Sequence, residues 1–499
     1  MSWQRLHRNT VVVTALTMAG VGLSVATPIV LGMLRGSRPA GPVLLIALGG
    51  VVALTGLSAF ADRVRWRHTS YRITGERVEL RYAWVLHKLR SIPRERVRTV
   101  DLTANPLLRA FGLTKVKIGT GQQVTGQQSH LTLDPIDRAR AEELRRLLLD
   151  DEEPAPAAGE VVPAARPPIA ELDWAWLRYA PVSVTTPILG AAAFGAVMQA
   201  SDWFNLQGAV FTTVRDLFGG LSVLGLVAML VAVGLVVGFV GSLGLFVEMW
   251  WRYRLTREKG TLRVHRGLLT TRSLSLERRR LRGVDMFEAF GARMLGAARV
   301  DVVATGLKAT TENEKSNPKT LLPAAPIAIA QRVAVEVLGA SPLSDVDIQA
   351  HPPAARARRL RWAVFGVAGV VAVLALLGAL FTVVLLHLAW IAAVVLLPVA
   401  VALAVDDYRN LGHGLSGDYL VTRYGAGSRH TVALVRSGII GWTVRSSPFQ
   451  RRSGLVTIAA TTAANSGEYF VRDVGENEGL RFAADTVPGL LTPFLEPRR

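Results

Sequence analysis

The sequence has no cysteine. That excludes disulfides, thiolate nucleophiles and cysteine metal sites, and leaves the redox compartment undecided. The short constellations of common active sites are also missing. There is no GxSxG, HExxH or phosphate-loop pattern, and the nine histidines are scattered. No catalytic role, cofactor or metal is expected. Carboxylates are few, 38 against 57 Lys and Arg, giving a net charge of +19. Such a balance suits nucleic acid or the anionic face of a membrane. No aromatic-rich binding pattern accompanies the basic residues, so nucleic acid is not expected as a partner.

Charge is absent altogether from residues 11–34, 42–61, 180–200 and 221–247, and 362–405 holds no ionisable residue except His387. As one helix the last run would be roughly 66 Å long, against a hydrocarbon core of about 30 Å. It is therefore read as two spans, with a turn in the region of Phe381 to Trp390. Exposed backbone is not tolerated in lipid, so all six segments are expected to be helices. Arg5, His7 and Arg8 precede the first run. Its length and the second run that follows at once argue against a cleaved signal peptide.

Arginine places the ends. Arg63, Arg65 and Arg67 follow span 2, Arg252, Arg254 and Arg257 follow span 4, and Arg356, Arg358, Arg359 and Arg361 precede span 5. These ends are expected in the cytoplasm, although Arg35 and Arg38 would then lie outside. Trp66, Trp174, Trp176, Tyr179, Trp250, Trp251 and Trp362 stand where an interfacial belt belongs.

After each pair of spans the apolar period falls towards two, and one phrase recurs: NPLLRAFGL (105–113), FGARMLGAA (290–298) and SPFQRRSGL (447–455). Without a gap, Val100 to Ile118 lies over Val284 to Val302, and Pro106, Arg109, Gly112 and Leu113 lie over Pro448, Arg451, Gly454 and Leu455. Repetition of residue types over this length marks an internal repeat. The strings YRITGERVELRY (71–82), YRLTREKGTLRVHRGLL (253–269) and, more weakly, YLVTRYGAGSRHTVAL (419–434) precede it as strand, turn and strand. Closing helices are expected over 134–150, with Asp134 as N-cap, over 324–339, and over 485–497 as a short, Pro-broken one. The phrase reads as a turn between strands. Pro106 and Pro448 fix φ, while Gly112, Gly296 and Gly454 supply a positive φ or a close approach. Arg109, Arg293 and Arg451 are read as bonding loop carbonyls, with phosphate the alternative. Asp101 and Asp285 recur as structural hydrogen-bonding groups.

This order of residues, Y-x-[IL]-T, S-[IL], V-D, R-x-x-G-[LA] and V-x-[IV], resembles the bacterial PH-like domain of YdbT-like membrane proteins. The resemblance implies a bent seven-stranded β barrel with a C-terminal helix, and little chemistry. It also implies protein assembly more than specific inositide binding, a companion membrane protein with one similar domain, and a role in envelope stress or resistance to membrane-active peptides. The third copy departs from the pattern, with IIGW (439–442) where VRTV (97–100) stands in the first. The expected fold class is membrane α-helical, with six transmembrane helices in three hairpins, plus three α+β PH-like domains, each a bent barrel or sandwich with a C-terminal helix. The expected boundaries are hairpin 1 over 1–61, domain 1 over 62–150, a linker with an interfacial segment over 151–179 and hairpin 2 over 180–251. Domain 2 over 252–340, a linker over 341–360, hairpin 3 over 361–405 and a divergent domain 3 over 406–499 complete the chain. The Pro/Ala-rich stretch 150–170 and the stretch 340–361 read as tethers.

Three further signals stand out. Gly234, Gly238 and Ser242 recur at four-residue spacing in span 4, as a stripe for helix packing. His387 is placed at the outer turn rather than in a proton path. Arg278, Arg279, Arg280 and Arg282 form the densest basic run, which either touches anionic headgroups or a partner, or is a solvated strand edge. The expected function is a bacterial plasma-membrane scaffold with cytoplasmic termini and domains. It would bind protein partners and anionic lipid by avidity between tethered modules, with self-association open. Export of a peptide or lipid is the alternative, for which Pro28, Pro187 and Pro398 are the available material.

Overall fold

The computed structural model describes residues 3–491 and 493, except 36–38, 84–86, 98, 120–129, 150–166, 184, 204–207, 209–211, 214–215, 217–219, 221, 259, 306–318, 345 and 465–466. The chain divides into two units, Met1–Arg279 and Arg280–Arg499.

In the first unit, β1 (Gln4–Arg5) leads into the helices α1 (Thr10–Arg35) and α2 (Ala40–His68). The strands β2 (Thr69–Ile73), β3 (Arg77–Ala83) and β4 (His87–Pro93) follow and, with β1, form a four-stranded antiparallel sheet, β1-β2-β3-β4. Next come β5 (Thr99–Ala104), the one-turn helix α3 (Pro106–Ala110), β6 (Leu113–Gly119), β7 (His130–Asp137) and α4 (Arg138–Leu149). The two halves close on one core, in which Val78, Val100, Val116, Ile118, Leu131 and Leu133 are fully buried and α4 adds Ala141 and Leu144. Each such side chain contributes about 1.5–3 kcal/mol of burial. The strand β8 (Ala170–Glu171), the helix α5 (Thr185–Trp203) and the helix α6 (Val223–Trp250) complete the second hairpin region, before β9 (Arg254–Glu258), β10 (Thr261–Arg266) and β11 (Thr271–Glu277).

The second unit begins with β12 (Leu281–Glu288), the one-turn helix α7 (Phe290–Met294), β13 (Ala297–Ala304), β14 (Thr320–Pro326) and α8 (Ile327–Leu338), which covers that sheet. The long helices α9 (Pro353–Leu380) and α10 (Val383–Asn410) follow, then β15 (Gly412–Ser416), β16 (Tyr419–Tyr424) and β17 (Arg429–Val435). The chain ends in β18 (Ile439–Arg445), the one-turn helix α11 (Pro448–Arg451), β19 (Leu455–Thr462), β20 (Glu468–Gly475) and α12 (Glu476–Thr486). Leu420, Val432, Leu434, Ile458, Val474 and Ala483 centre the last core.

Each repeat supplies six strands among the described residues, as two three-stranded halves, rather than the seven that the resemblance implies. The halves do not stay within their repeats. The seven-stranded sheet runs β7-β6-β5-β11-β10-β9-β8, and the six-stranded sheet runs β14-β13-β12-β17-β16-β15. The second half of one repeat thus pairs with the first half of the next, so the picture of tethered, self-contained modules gives way to sheets that continue from repeat to repeat. Periodicity could not reveal this, because a strand's alternation is the same whichever neighbour it pairs with.

Five helices are long and apolar enough to cross a membrane: Thr10–Leu34, Ala40–His68, Leu224–Trp250, Pro353–Leu380 and Val383–Asn410. They carry large apolar side chains outward, Leu45, Ile46, Leu57, Leu224 and Trp390 among the most exposed. Surfaces of this kind belong in lipid, and the chain is a multi-pass membrane protein. The helix α5 is not among the five. It has 19 residues, rich in Gly, Ala and Thr. The third hairpin turns at Phe381 and Thr382, and the Thr382 hydroxyl caps α10 by accepting the Val384 N–H. His387 lies one turn further on, its Nδ1 2.9 Å from the Val383 carbonyl.

Other local expectations shift. Asp134 is not a helix cap: the Asp134–Pro135 bond is cis and lies in β7, which continues to Asp137 because Ile136 is buried in the core. Lys115 meets Asp134 at 2.6 Å instead. The string 419–434 is β16 and β17, the second and third strands of its half, so it corresponds to β3 and β4 rather than to β2 and β3. The third closing helix is α12, in ENEGLRFAADT, where Gly479 lets the backbone approach Val474 and Ile458. Most of the first tether, 150–166, lies outside the described residues. In the second, Gln349 bridges to His413, Ile348 packs over Gly412, and α9 is already helical from Pro353.

Candidate functional site

No linker separates membrane from module. Helix α2 ends at His68 and β2 starts at Thr69, whose hydroxyl donates to the Arg65 carbonyl at 2.6 Å. Helix α6 ends at Trp250 and β9 starts at Arg254; helix α10 ends at Asn410 and β15 starts at Gly412. Each repeat is therefore built directly on the end of a long apolar helix.

The joints between repeats use one register. Thr99–Ala104 pairs with Leu276–Thr271, and Gly283–Glu288 pairs with Leu434–Arg429. Shifting the first set of pairs along the repeat reproduces the second. Glu288, nearly fully buried, accepts two bonds from Arg429 at 2.8 and 2.7 Å, a fork on carboxylate. His430 Nδ1 lies 2.9 Å from Asp285. In the first joint Asp101 is half-buried; desolvation raises its pKa against the pull of Arg272 and Lys117, and the Thr103 hydroxyl donates to it at 3.4 Å.

The recurrent phrase is a helical turn in all three copies, followed by Gly112, Gly296 and Gly454 at φ of 67°, 67° and 63°. A β-carbon is disfavoured at such angles. Pro106 and Pro448 open their turns, where an N–H would have no acceptor. Asn105 and Ser447 cap them by accepting the Leu108 and Gln450 N–H groups. Arg109 donates to the carbonyls of Leu268 and Leu269, in the hairpin of the following repeat. Arg293 does the same towards Gly427 at 3.3 Å, and adds Asp406 at 3.0 Å near the end of α10. Arg451 is exposed.

The third hairpin meets its module at Asp473, which is 1% exposed and holds φ at 56°. Its carboxylate accepts from Arg358 at 2.8 and 2.9 Å and from Gln450 at 2.7 Å, and Arg359 lies 3.0 Å away. Arg359 also donates to Asp407 at 2.6 Å. Arg358, Arg359, Arg445, Gln450, Thr457, Phe470, Arg472 and Asp473 line a cavity of about 390 Å³. Four guanidinium groups line the cavity with one carboxylate. Asp407 pairs with Arg359 and Glu468 with Arg445, which leaves a small positive excess at a membrane helix end, where an anionic headgroup would be attracted. The sequence singled out Arg358 and Arg359 for topology, but nothing local linked them to Asp473, more than a hundred residues away.

Beside Asp473, two histidines are buried. With both rings neutral, His413 Nδ1 donates to His351 Nε2 at 3.0 Å, and His351 Nδ1 donates to the Asp473 carbonyl at 3.2 Å. Burial and the neighbouring His351 push His413 down to about 4. Glu478, the nearest carboxylate, stays 3.8 Å from His413 Nε2. Unfolded, His413 titrates near 6.5. Between these values the unfolded state binds the extra proton, so stability falls as pH drops below about 6.5, by roughly 1.4 kcal/mol per unit. Thermal melts from pH 7 to 5 should show this slope, and His413→Gln should flatten it; an unchanged slope would count against a neutral buried pair.

In the second hairpin region, a β-carbon at Gly238 would lie 2.1 Å from the Thr186 carbonyl oxygen, and one at Gly190 would lie 2.1 Å from that of Gly234. Gly234 itself has open space for a β-carbon, and Ser242 is buried with its hydroxyl on the Phe239 carbonyl at 2.8 Å. The stripe lies where α5 and α6 cross. Gly238→Ala should therefore lower the melting temperature of detergent-solubilised protein, whereas Gly234→Ala should stay within about 0.5 kcal/mol of wild type.

Arg278, Arg279 and Arg280 of the basic run fall in a 3-10 turn, and Arg282 lies on β12. Arg279 is exposed, and Arg278, Arg280 and Arg282 are half-buried. The same turn recurs at Arg94–Arg96 and Arg436–Gly438. The leading N–H of each turn donates to a hairpin carbonyl, of Glu76, Gly260 and Asp418 respectively. Arg94 bonds the carbonyls of Gly75 and Leu147, while Arg436 bonds those of Gly417, Asp485 and Thr486. This arginine ties a hairpin turn to the end of the closing helix. The sequence signal was available: the offsets that superpose the recurrent phrases also carry Arg94 onto Arg278 and Arg436. Among the described residues no group of His, Asp and Glu is placed to hold a metal.

Residues 18–152, 208–340 and 363–484 each match the family model described as Bacterial PH domain. The chain is similar to the UPF0699 transmembrane protein YdbT of Bacillus subtilis (strain 168), 21% identical over 443 residues that cover 84% of this chain and 85% of that protein. No solved structure matches.

Proposed function

Since the chain belongs to the bacterial PH domain family, we propose that it is a scaffold of the bacterial plasma membrane, with its PH-like repeats in the cytoplasm. The observation that carries this reading is the direct growth of each repeat from a membrane helix, with sheets that continue from repeat to repeat. Within each unit such a build fixes the joined repeat halves to one another, so partners meet preorganised surfaces there. The arginine-lined cavity at Asp473 offers an anionic headgroup a place beside the third hairpin. A non-catalytic role and six spans, with α5 as the third, belong to the same reading. So does a setting in envelope stress or resistance to membrane-active peptides, for which only the family resemblance speaks. Export has weaker support, because Pro28 and Pro398 lie inside unbroken helices.

Gentle purification from native membranes, with bound protein and lipid identified by mass spectrometry, tests the proposal. A stoichiometric protein companion is expected, together with anionic lipid that Arg445→Glu and Arg472→Glu reduce. Substrate movement by the purified protein in sealed vesicles would overturn it.

A further inference from the structure

The sheets that join the repeats stop at both ends of the series. In the first joint β5 pairs with β11, and in the second β12 pairs with β17. The strand that continues this pattern in the third repeat is β18, the outer strand of the sheet β18-β19-β20. Its counterpart at the other end is β4, the outer strand of β1-β2-β3-β4, which holds the place of β11 and β17 in the first repeat. The first and third repeats therefore carry two complementary halves of a joint that the chain makes twice internally.

We propose that β18 of one molecule pairs antiparallel with β4 of a second copy, in the register of the internal joints. That register sets Trp442 opposite Ser91 and Val444 opposite Leu89. Three observations favour a second copy as the occupant. The first is continuity: Val284 lies opposite Ala433 as Val100 lies opposite Ser275, so one geometry already serves both joints. The second is apolar fit. At the Val444 and Leu89 positions the internal joints bury Leu102 against Ser273 and Met286 against Thr431. Val444 and Leu89 are 44% and 60% exposed, and pairing would cover both. The third is the staple. Arg109 and Arg293 reach the hairpin of the following repeat, whereas Arg451 is exposed at the end of the series. An exposed strand edge is a template for another strand, and a head-to-tail contact extends into rows unless it closes into a ring.

The proposal deepens the scaffold reading and rests on it: rows of copies would repeat the same platform along the membrane. Its test exploits the cysteine-free sequence. Val444→Cys and Leu89→Cys are introduced together into the full chain, and native membranes are treated with a mild thiol oxidant. A ladder of dimers and larger species is expected on non-reducing gels. Co-expressed single variants should give a dimer containing one of each and nothing larger. The pair Val444→Cys with Pro93→Cys, four residues out of register on β4, should cross-link at least tenfold less. Separately, Val444→Lys should reduce the mass of the detergent-solubilised assembly. Monomer alone, closure within one chain, equal cross-linking of the shifted pair, or capture of a different protein at Val444 would each overturn the proposal. A companion recovered in the purification would leave the scaffold reading standing even then.

Discussion

Asp473→Asn lowers the stability of the third repeat and its hairpin by about 3–5 kcal/mol, the range for breaking a buried ion pair by removing one partner. The carboxylate is almost wholly buried and takes both oxygens' worth of bonds from Arg358, Arg359 and Gln450. Asparagine keeps the size and tolerates the positive φ of 56°, so the loss is electrostatic. Asp473→Ala should cost roughly 1–2 kcal/mol more, because alanine gains nothing from that backbone conformation. Thermal unfolding in detergent and limited proteolysis near residue 473 measure both. Equal, small effects for the two variants would mean that water replaces the carboxylate and that α9 is not anchored there.

Arg429→Ala should be the most damaging single change at the joint between the second and third repeats, again by about 3–5 kcal/mol. It strands the buried Glu288 carboxylate, which has its bidentate partner in Arg429. Glu288→Gln should cost less, since it leaves behind a guanidinium that is a quarter exposed rather than a buried anion. This order, worse for the arginine than for the glutamate, distinguishes a buried ion pair from simple packing. Hydrogen exchange of β12 and β17 reads it locally: faster exchange confined to these two strands is expected, and uniform loss of protection would place the damage elsewhere.

The joint and the Asp473 hub share one feature, a carboxylate buried where two repeat or membrane elements meet. Both are polar contacts between residues more than a hundred positions apart. Their presence accords with the proposed platform, because a buried pair fixes one arrangement even when its net contribution to stability is modest.

Much of the chain was legible locally. Runs without charge mark the long helices because lipid admits neither charge nor unpaired backbone. The glycines of the recurrent phrase mark positive φ because only glycine takes it freely, and 67°, 67° and 63° are what Gly112, Gly296 and Gly454 adopt. Other features were hidden by their own chemistry. The helix α12 is mostly polar and shows its apolar face only through Leu480, Phe482 and Ala483. Asp134–Pro135 imitates a helix start, yet the core demands Ile136 from a strand. Arg278, Arg279 and Arg280 read as a headgroup or partner surface or a solvated edge, while in the matching turns Arg94 and Arg436 spend their donors on backbone carbonyls.

By itself, then, the sequence determined the local elements: where helices must be apolar, where the backbone must turn, and that one unit occurs three times. Tertiary structure alone decided the partners. The edges that β5 and β12 present to their hairpins bond through backbone groups that every residue carries alike, so the local alternation of side chains does not reveal which edge meets which hairpin. Ion pairs such as Arg429 with Glu288 and Arg358 with Asp473 exist only once distant strands and helices have been brought within bonding distance.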